Sequence, residues 1–225
     1  MGKAEGPTAS RAYQLTKDKI IRNELDPRQK LSEIELAKEL DISRTPVREA
    51  LIMLEKDGLI TRYEGTRGFY LKQFSLKDIQ DLYEFREMIE VAAAARIIEN
   101  VTDRHIGELA AILQEVETII EDGRPADALV KALDFHIHCV QTCTNNPFIT
   151  YALRNCYEKL TVVSWTCHDI NACISGAKEH HEILDALRAR DLNKLVERSR
   201  HHVHRARDRM MDTLKLGTKR LYFMP

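Results

Sequence analysis

Between Leu31 and Gly58 the sequence dictates two short helices with almost no chain between them, and this stretch constrains the fold more than any other. Ser32-Glu33-Ile34-Glu35 has the form of a capping box, in which a hydroxyl and a carboxylate satisfy the free N–H groups at a helix start. The helix it opens is expected to run to about Leu40. Asp41-Ile42 leaves room only for a tight connection, and Asp visits left-handed backbone more readily than most residues. Ser43 or Thr45 can cap the next helix, and Pro46 falls in its first turn, where a missing N–H costs nothing. Gly58 ends it. In that helix Val47, Ala50, Leu51 and Leu54 share one face. An earlier helix is expected over Arg11–Glu24, with apolar Ala12, Leu15, Ile20 and Ile21, broken by Asp26-Pro27. After Gly58, the β-prone runs Leu59–Tyr63 and Phe69–Phe74 flank Glu64-Gly65-Thr66-Arg67-Gly68 and predict a small hairpin.

From Ser75 onward helical periodicity dominates. Breaks are expected near Asn100-Val101-Thr102, Gly123-Arg124-Pro125, Asn145-Asn146-Pro147 and Ser175-Gly176, and Leu216–Pro225 reads as a loosely held tail. The fold class is therefore mainly α: an N-terminal winged helix-turn-helix with a small β-hairpin wing over residues 1–74, then an all-α helical bundle over 75–225. Nine Gly and six Pro in 225 residues leave few turns for an all-β alternative. No apolar run approaches the roughly 20 residues a bilayer requires, and no signal-peptide stretch opens the chain, so the expected location is cytoplasmic. The five cysteines (139, 143, 156, 167 and 173) form no C-x-x-C pair and are expected to be reduced, buried small residues.

Arg44 and Arg48 lie four apart at the start of the third helix, where a helix-turn-helix places its base and phosphate readers. Ser43 and Thr45 add hydroxyls, and Arg67 beside Gly68 is placed to enter the adjacent minor groove. The ordinary alternative for such an Arg pair is a solvated face pairing with Glu49 or Glu55. The whole string from Leu31 to Leu51, with Leu54–Ile60 and the Arg67-Gly68 hairpin, resembles the winged helix of GntR-family bacterial transcription regulators. That resemblance covers about residues 10–74 and implies that Ser43, Arg44, Thr45, Arg48, Arg67 and Gly68 contact DNA. Ile34 stands where some members carry a further DNA-contacting Arg.

In the second half, Leu82–Glu90, the Ala92–Ala95 run, Asp134-Phe-His-Ile-His138, Asn146-Pro147 and Glu179-His180 resemble the ligand-binding (FCD) domain of the FadR subfamily. The resemblance implies a divalent metal held by one Asp and three His, with an open position for a carboxylate effector. Asp134 and His138 are four apart on one helical face, and His180 and His202 come from two later helices. His180 carries the Glu-His pair of the family, and His202 is eleven residues beyond Asp191. Phe135-His136 offers a second register, which places Ala132 at the carboxylate; Asp134 with His138 is preferred, with His136 left open as the replacement for His138. Such ligands suit Zn²⁺ or Ni²⁺ first and Mn²⁺ or Fe²⁺ next. For any single His, a satisfied core position is the ordinary alternative. Arg86 is a candidate for gripping an effector carboxylate, against an intrahelical bridge to Glu90, and Trp165 either lines the pocket or fills the core.

The expected function is a homodimeric, DNA-binding regulator, most simply a repressor, on a palindromic operator, controlled by a small carboxylic acid at the metal, with no membrane partner. A metal-free ligand cavity and a metalloenzyme are the competing readings. No general base or nucleophile stands beside the expected ligands, which argues against an enzyme. The formal net charge of −1 taken alone points away from DNA, but 14 basic residues face 12 acidic ones up to Phe74, and 20 face 23 beyond it. Phosphate attraction per subunit is expected to be modest, so useful affinity rests on dimerisation and a few Arg contacts.

Overall fold

A computed structural model describes residues 9–26, 29–63, 65, 68–164 and 169–217, and divides into a unit ending at Gln73 and a unit starting at Phe74.

The first unit is built from α1 (Ala9–Ile21), α2 (Glu33–Glu39), α3 (Arg44–Lys56) and the strands β1 (Ile60–Thr61) and β2 (Tyr70–Leu71). Ser32 caps α2 by accepting from the Glu35 amide, and Asp41 takes the left-handed conformation (φ 52°) that the tight turn requires. Ser43 is the N-cap of α3, with no side-chain capping bond. Val47, Ala50, Leu51 and Leu54 are buried together with Ala12 and Ile20 of α1, and Tyr13 donates its hydroxyl to Asp57 just beyond α3. The hairpin is antiparallel, with Ile60 opposite Leu71 and Thr61 opposite Tyr70. Its strands are shorter than the sequence runs suggest, although the Lys72 amide also reaches the Leu59 carbonyl at 3.0 Å. The Leu31 amide adds one further bond, to the Phe69 carbonyl at 2.8 Å. Gly68 has φ 118°, and a Cβ there would run into the Lys30 side chain.

The second unit is helical throughout the described residues: α4 (Leu76–Asn100), α5 (Asp103–Glu121), α6 (Pro125–Thr144), α7 (Pro147–Ser164), α8 (Ile170–Arg188) and α9 (Leu192–Gly217). Ser75 and Asp78 form the capping box that opens α4, and Thr102 caps α5. Asn145, in the left-handed conformation, ends α6 just before Pro147. The expected break at Ser175-Gly176 does not occur. Asp169 instead caps α8 through the Asn171 amide, and α8 runs unbroken through Gly176, as an isolated helical Gly is tolerated at roughly 1 kcal/mol. The break that was not anticipated is at Ala189–Asp191, where Arg190 adopts φ 50° without a Gly to announce it.

In this unit α4 packs on α9, α6 and α7, while α5 packs on α6 and α8. One core runs through the bundle, including Ile79, Leu109, Leu113, Phe135, Leu153 and Leu184. Cys139, Cys143, Cys156 and Cys173 are free and buried; Cys167, like Trp165, Arg67 and the end of the C-terminal tail, lies outside the described residues. No helix of the described residues is long and apolar enough to cross a membrane.

Candidate functional site

Three helices each contribute one histidine to a single point in the bundle: His136 from α6, His180 from α8 and His202 from α9, all buried. Each sits on the inward face of its helix, between apolar neighbours such as Phe135 and Cys139, Ile183 and Leu184, or Val203. Their Nε2 atoms face one another, His136 to His180 at 2.9 Å and His180 to His202 at 3.2 Å. Two of the opposite ring nitrogens meet carboxylates. His136 Nδ1 is 3.1 Å from Glu90, and His202 Nδ1 is 2.8 Å from Glu179. The carboxylates fix these Nδ1 atoms as donors and leave the Nε2 lone pairs aimed inward. His180 Nδ1 is buried with no hydrogen-bond partner among the described residues.

The carboxylates are themselves held. Glu90 accepts from Arg86 Nε at 2.5 Å and from the Tyr157 hydroxyl, and Glu179 takes a bidentate pair from Arg209 at 2.6 and 2.8 Å. Arg86 Nη2 also reaches His136 Nε2 at 3.0 Å. Burial would favour neutral Glu90, yet Arg86 and His136 hold it well below the usual carboxylate range. Burial, reinforced by the neighbouring rings and by Arg86, lowers the pKa of His180 and His202 far below the ordinary 6.5; His136 is lowered less, because Glu90 opposes its burial. The rings are thus neutral near neutral pH, the form that ligates a metal.

This depression has a measurable consequence. Below about pH 6.5 the unfolded chain binds protons on these histidines that the folded chain refuses, so stability is fully present above that pH and is lost as pH falls. Chelator-treated protein is expected to show a urea midpoint that drops between about pH 7.5 and 5.5, with a shallower drop in His180→Ala.

The three rings border a cavity of about 100 Å³ whose wall also includes Arg86, Ala132 and Arg209. Two neutral-His nitrogens on one divalent ion at about 2.0–2.1 Å lie about 2.9–3.4 Å apart for angles between 90° and 109°. The His136–His180 and His180–His202 separations fall in this range, and all three ligand nitrogens lie within 4.8 Å of one another, so the residues present fit a divalent transition ion.

The set differs from the preferred sequence register. Asp134 is exposed and pairs with Lys131 at 3.4 Å, while His138 is half-buried and bonds Glu108 at 2.9 Å. Neither reaches the cluster, since residues two apart on a helix point about 200° apart and α6 turns Phe135, His136, Cys139 and Val140 inward. His180 and His202 are brought together as expected. His181 and His204 turn away to Glu117 and Glu87. Arg86 forms the Glu90 bridge and lines the cavity as well. Tyr157 and Arg209 were missed, as was the contact of Glu90 and Glu179 with the rings; the i,i+4 spacing of Arg86 and Glu90 and the Glu179-His180 pair were the local signals.

On the first unit, Ser43, Arg44, Thr45 and Arg48 are all exposed at the start of α3, opposite its buried face. Arg44 lies 3.8 Å from Glu33. Glu55 is taken by Arg62 at 2.8 and 2.6 Å, and no acid pairs with Arg48 among the described residues. Ile34 is 61% exposed on α2.

Comparison with known proteins agrees with this anatomy. Residues 8–70 match the bacterial regulatory proteins of the gntR family, and residues 81–205 match the FCD domain. The Nta operon transcriptional regulator of Aminobacter aminovorans is 26% identical over 198 residues, covering 87% of this chain and 91% of that protein. The transcriptional repressor RspR of Escherichia coli is 27% identical over 195 residues, covering 86% and 84%. Among solved structures, a GntR regulator from Rhodococcus superposes with a TM-score of 0.79 at 22% identity, covering 91% of this chain and 97% of that one, and McbR/YncC of E. coli with 0.76 at 19%, covering 94% and 97%. With the winged helix before an FCD-type bundle, the chain belongs to the GntR family and is a DNA-binding transcription regulator, not an enzyme.

Proposed function

We propose that this regulator acts in the cytoplasm as a homodimeric repressor whose hold on a palindromic operator is set by a small carboxylic acid bound with a divalent transition metal in the helical unit. The observation that carries the reading is the convergence of three buried, neutral His Nε2 atoms on a cavity that also contains Arg86. His136, His180 and His202 would hold the ion, with Zn²⁺ or Ni²⁺ favoured by an all-imidazole set and Mn²⁺ or Fe²⁺ next. The ion supplies a Lewis-acidic point for an effector oxygen. Glu90 and Glu179 orient two of the rings, and Arg86 supplies the planar donor fork for a carboxylate.

The cavity volume of about 100 Å³ favours this reading over a metal-free pocket for a long acyl ligand, since pockets for larger ligands run to roughly 300–1,000 Å³. Repression follows the sense in which RspR is named. Dimerisation is supported by exposed apolar side chains on α4 (Phe85 and Met88) and α7 (Phe148 and Tyr151). DNA reading falls to Ser43, Arg44, Thr45 and Arg48 on α3, with Arg67 and Gly68 of the wing.

Elemental analysis of protein purified without chelator is expected to find about one transition ion per chain, and His180→Ala is expected to lose it, a change of at least about 10-fold in metal affinity. Equal metal content in both proteins would remove the cluster from the account.

A further inference from the structure

The cluster that would receive the ion carries no charge of its own. Its three donors are neutral imidazoles, and among the described residues no Asp, Glu or Cys joins them. The neighbouring carboxylates are each balanced: Glu90 by Arg86 and Glu179 by Arg209. Asp169 lies on the cavity wall but is exposed, and it caps α8 through the Asn171 amide at 2.9 Å. One turn before His136 on α6, the position best placed to add a fourth donor is Ala132, whose methyl also lines the cavity. A divalent ion would therefore bring two uncompensated positive charges to a point walled by fully buried rings. Arg86, whose charge Glu90 balances, stands close by with Nη2 3.0 Å from His136 Nε2 and so adds no negative charge for the ion. Burying unpaired charge in such a place is strongly unfavourable.

We propose that, because Ala132 leaves the three-histidine site without an anionic donor, this chain holds its metal markedly more tightly together with a small dicarboxylate, so that metal and effector bind with strong positive coupling. The proposal rests on the metal reading above and deepens it. A dicarboxylate carries the two negative charges that the ion requires, Arg86 offers it a donor fork, and a three- or four-carbon diacid matches the available volume. Coupling is reciprocal: the acid tightens the metal by the same factor as the metal tightens the acid. The protein then responds to the acid and to metal availability jointly.

The test uses Co²⁺, whose d–d absorption reports its donors, and malonate as the diacid, with free Co²⁺ corrected for the malonate complex. In the full-length wild-type chain, saturating malonate is expected to raise Co²⁺ affinity by about 10-fold or more and to change the absorption band. Ala132→Asp is expected to bind Co²⁺ about 10-fold or more tighter than wild type without malonate, and to gain little when malonate is added. The wild-type titration stands without the variant, should Ala132→Asp fail to fold. If Co²⁺ binds tightly to wild type in a His180-dependent way and neither malonate nor Ala132→Asp alters the affinity, the coupling is wrong while the metal site survives. If wild type shows no His180-dependent Co²⁺ binding with or without malonate, the metal reading falls and the coupling with it.

Discussion

Replacing Glu90 with alanine is expected to destabilise the helical unit by about 3–5 kcal/mol, the cost of leaving one partner of a buried ion pair uncompensated. Glu90 is 6% exposed and serves three groups at once: Arg86, Tyr157 and His136. Its removal strands a guanidinium that is 3% exposed, and leaves a buried phenol and an imidazole without their acceptor. Urea unfolding of metal-free protein measures the loss directly. The double variant Arg86→Met with Glu90→Leu is expected to recover most of it, because a buried pair replaced by apolar side chains of similar volume is often neutral. That variant should nonetheless fail to respond to small acids. Stability recovered without effector response would separate the role of this pair in ligand recognition from its role in the fold. An unchanged midpoint in Glu90→Ala would contradict the burial and bonding described for it.

The second large effect is on DNA. Arg44→Ala and Arg48→Ala are each expected to weaken operator binding by about 1–3 kcal/mol, roughly 5- to 150-fold, with the losses compounding across two half-sites in a dimer. Both side chains are exposed opposite the buried face of α3, so thermal stability should be unaffected. A variant that only loses a phosphate contact should lower affinity uniformly across sequences and reduce the salt slope by about one; a base reader should also relax sequence preference. Anisotropy titrations on operator and scrambled duplexes at two salt concentrations distinguish these. Retention of full affinity by the double Arg variant would move DNA reading off α3.

The first unit was readable because its signals are local. Ser32, Asp41, Pro46 and Gly58 each determine a cap, a turn or a helix end through bonds within a few residues, and Val47, Ala50, Leu51 and Leu54 define one face without reference to the rest of the chain. The histidine register was not local. Two positions four apart share a helix face whether they are 132 and 136 or 134 and 138. Which face turns inward depends on α6 packing against α4, α5 and α7 together. Leu129, Leu133 and Ile137 are also partly buried, so the apolar face of α6 is too wide to fix its phase. His180 and His202 were legible because the faces of their helices are narrower: Ile183, Leu184 and Leu187 mark one, and Leu195, Val203 and Met210 the other. Glu90 and Tyr157 are 67 residues apart and meet only through tertiary packing, which no spacing rule anticipates.

The central claim is that a small acid at the three-histidine site controls operator affinity. Its most direct test is the anisotropy of a labelled duplex from the region upstream of this chain's own gene, titrated with metal-loaded wild type and with His180→Ala, each with and without a series of small mono- and dicarboxylic acids. The account predicts sequence-preferring binding by both proteins, and a shift in wild-type affinity of about 5- to 150-fold with at least one acid that is lost in His180→Ala. Identical acid responses in the two proteins, or no preference for that duplex over scrambled DNA, would contradict it.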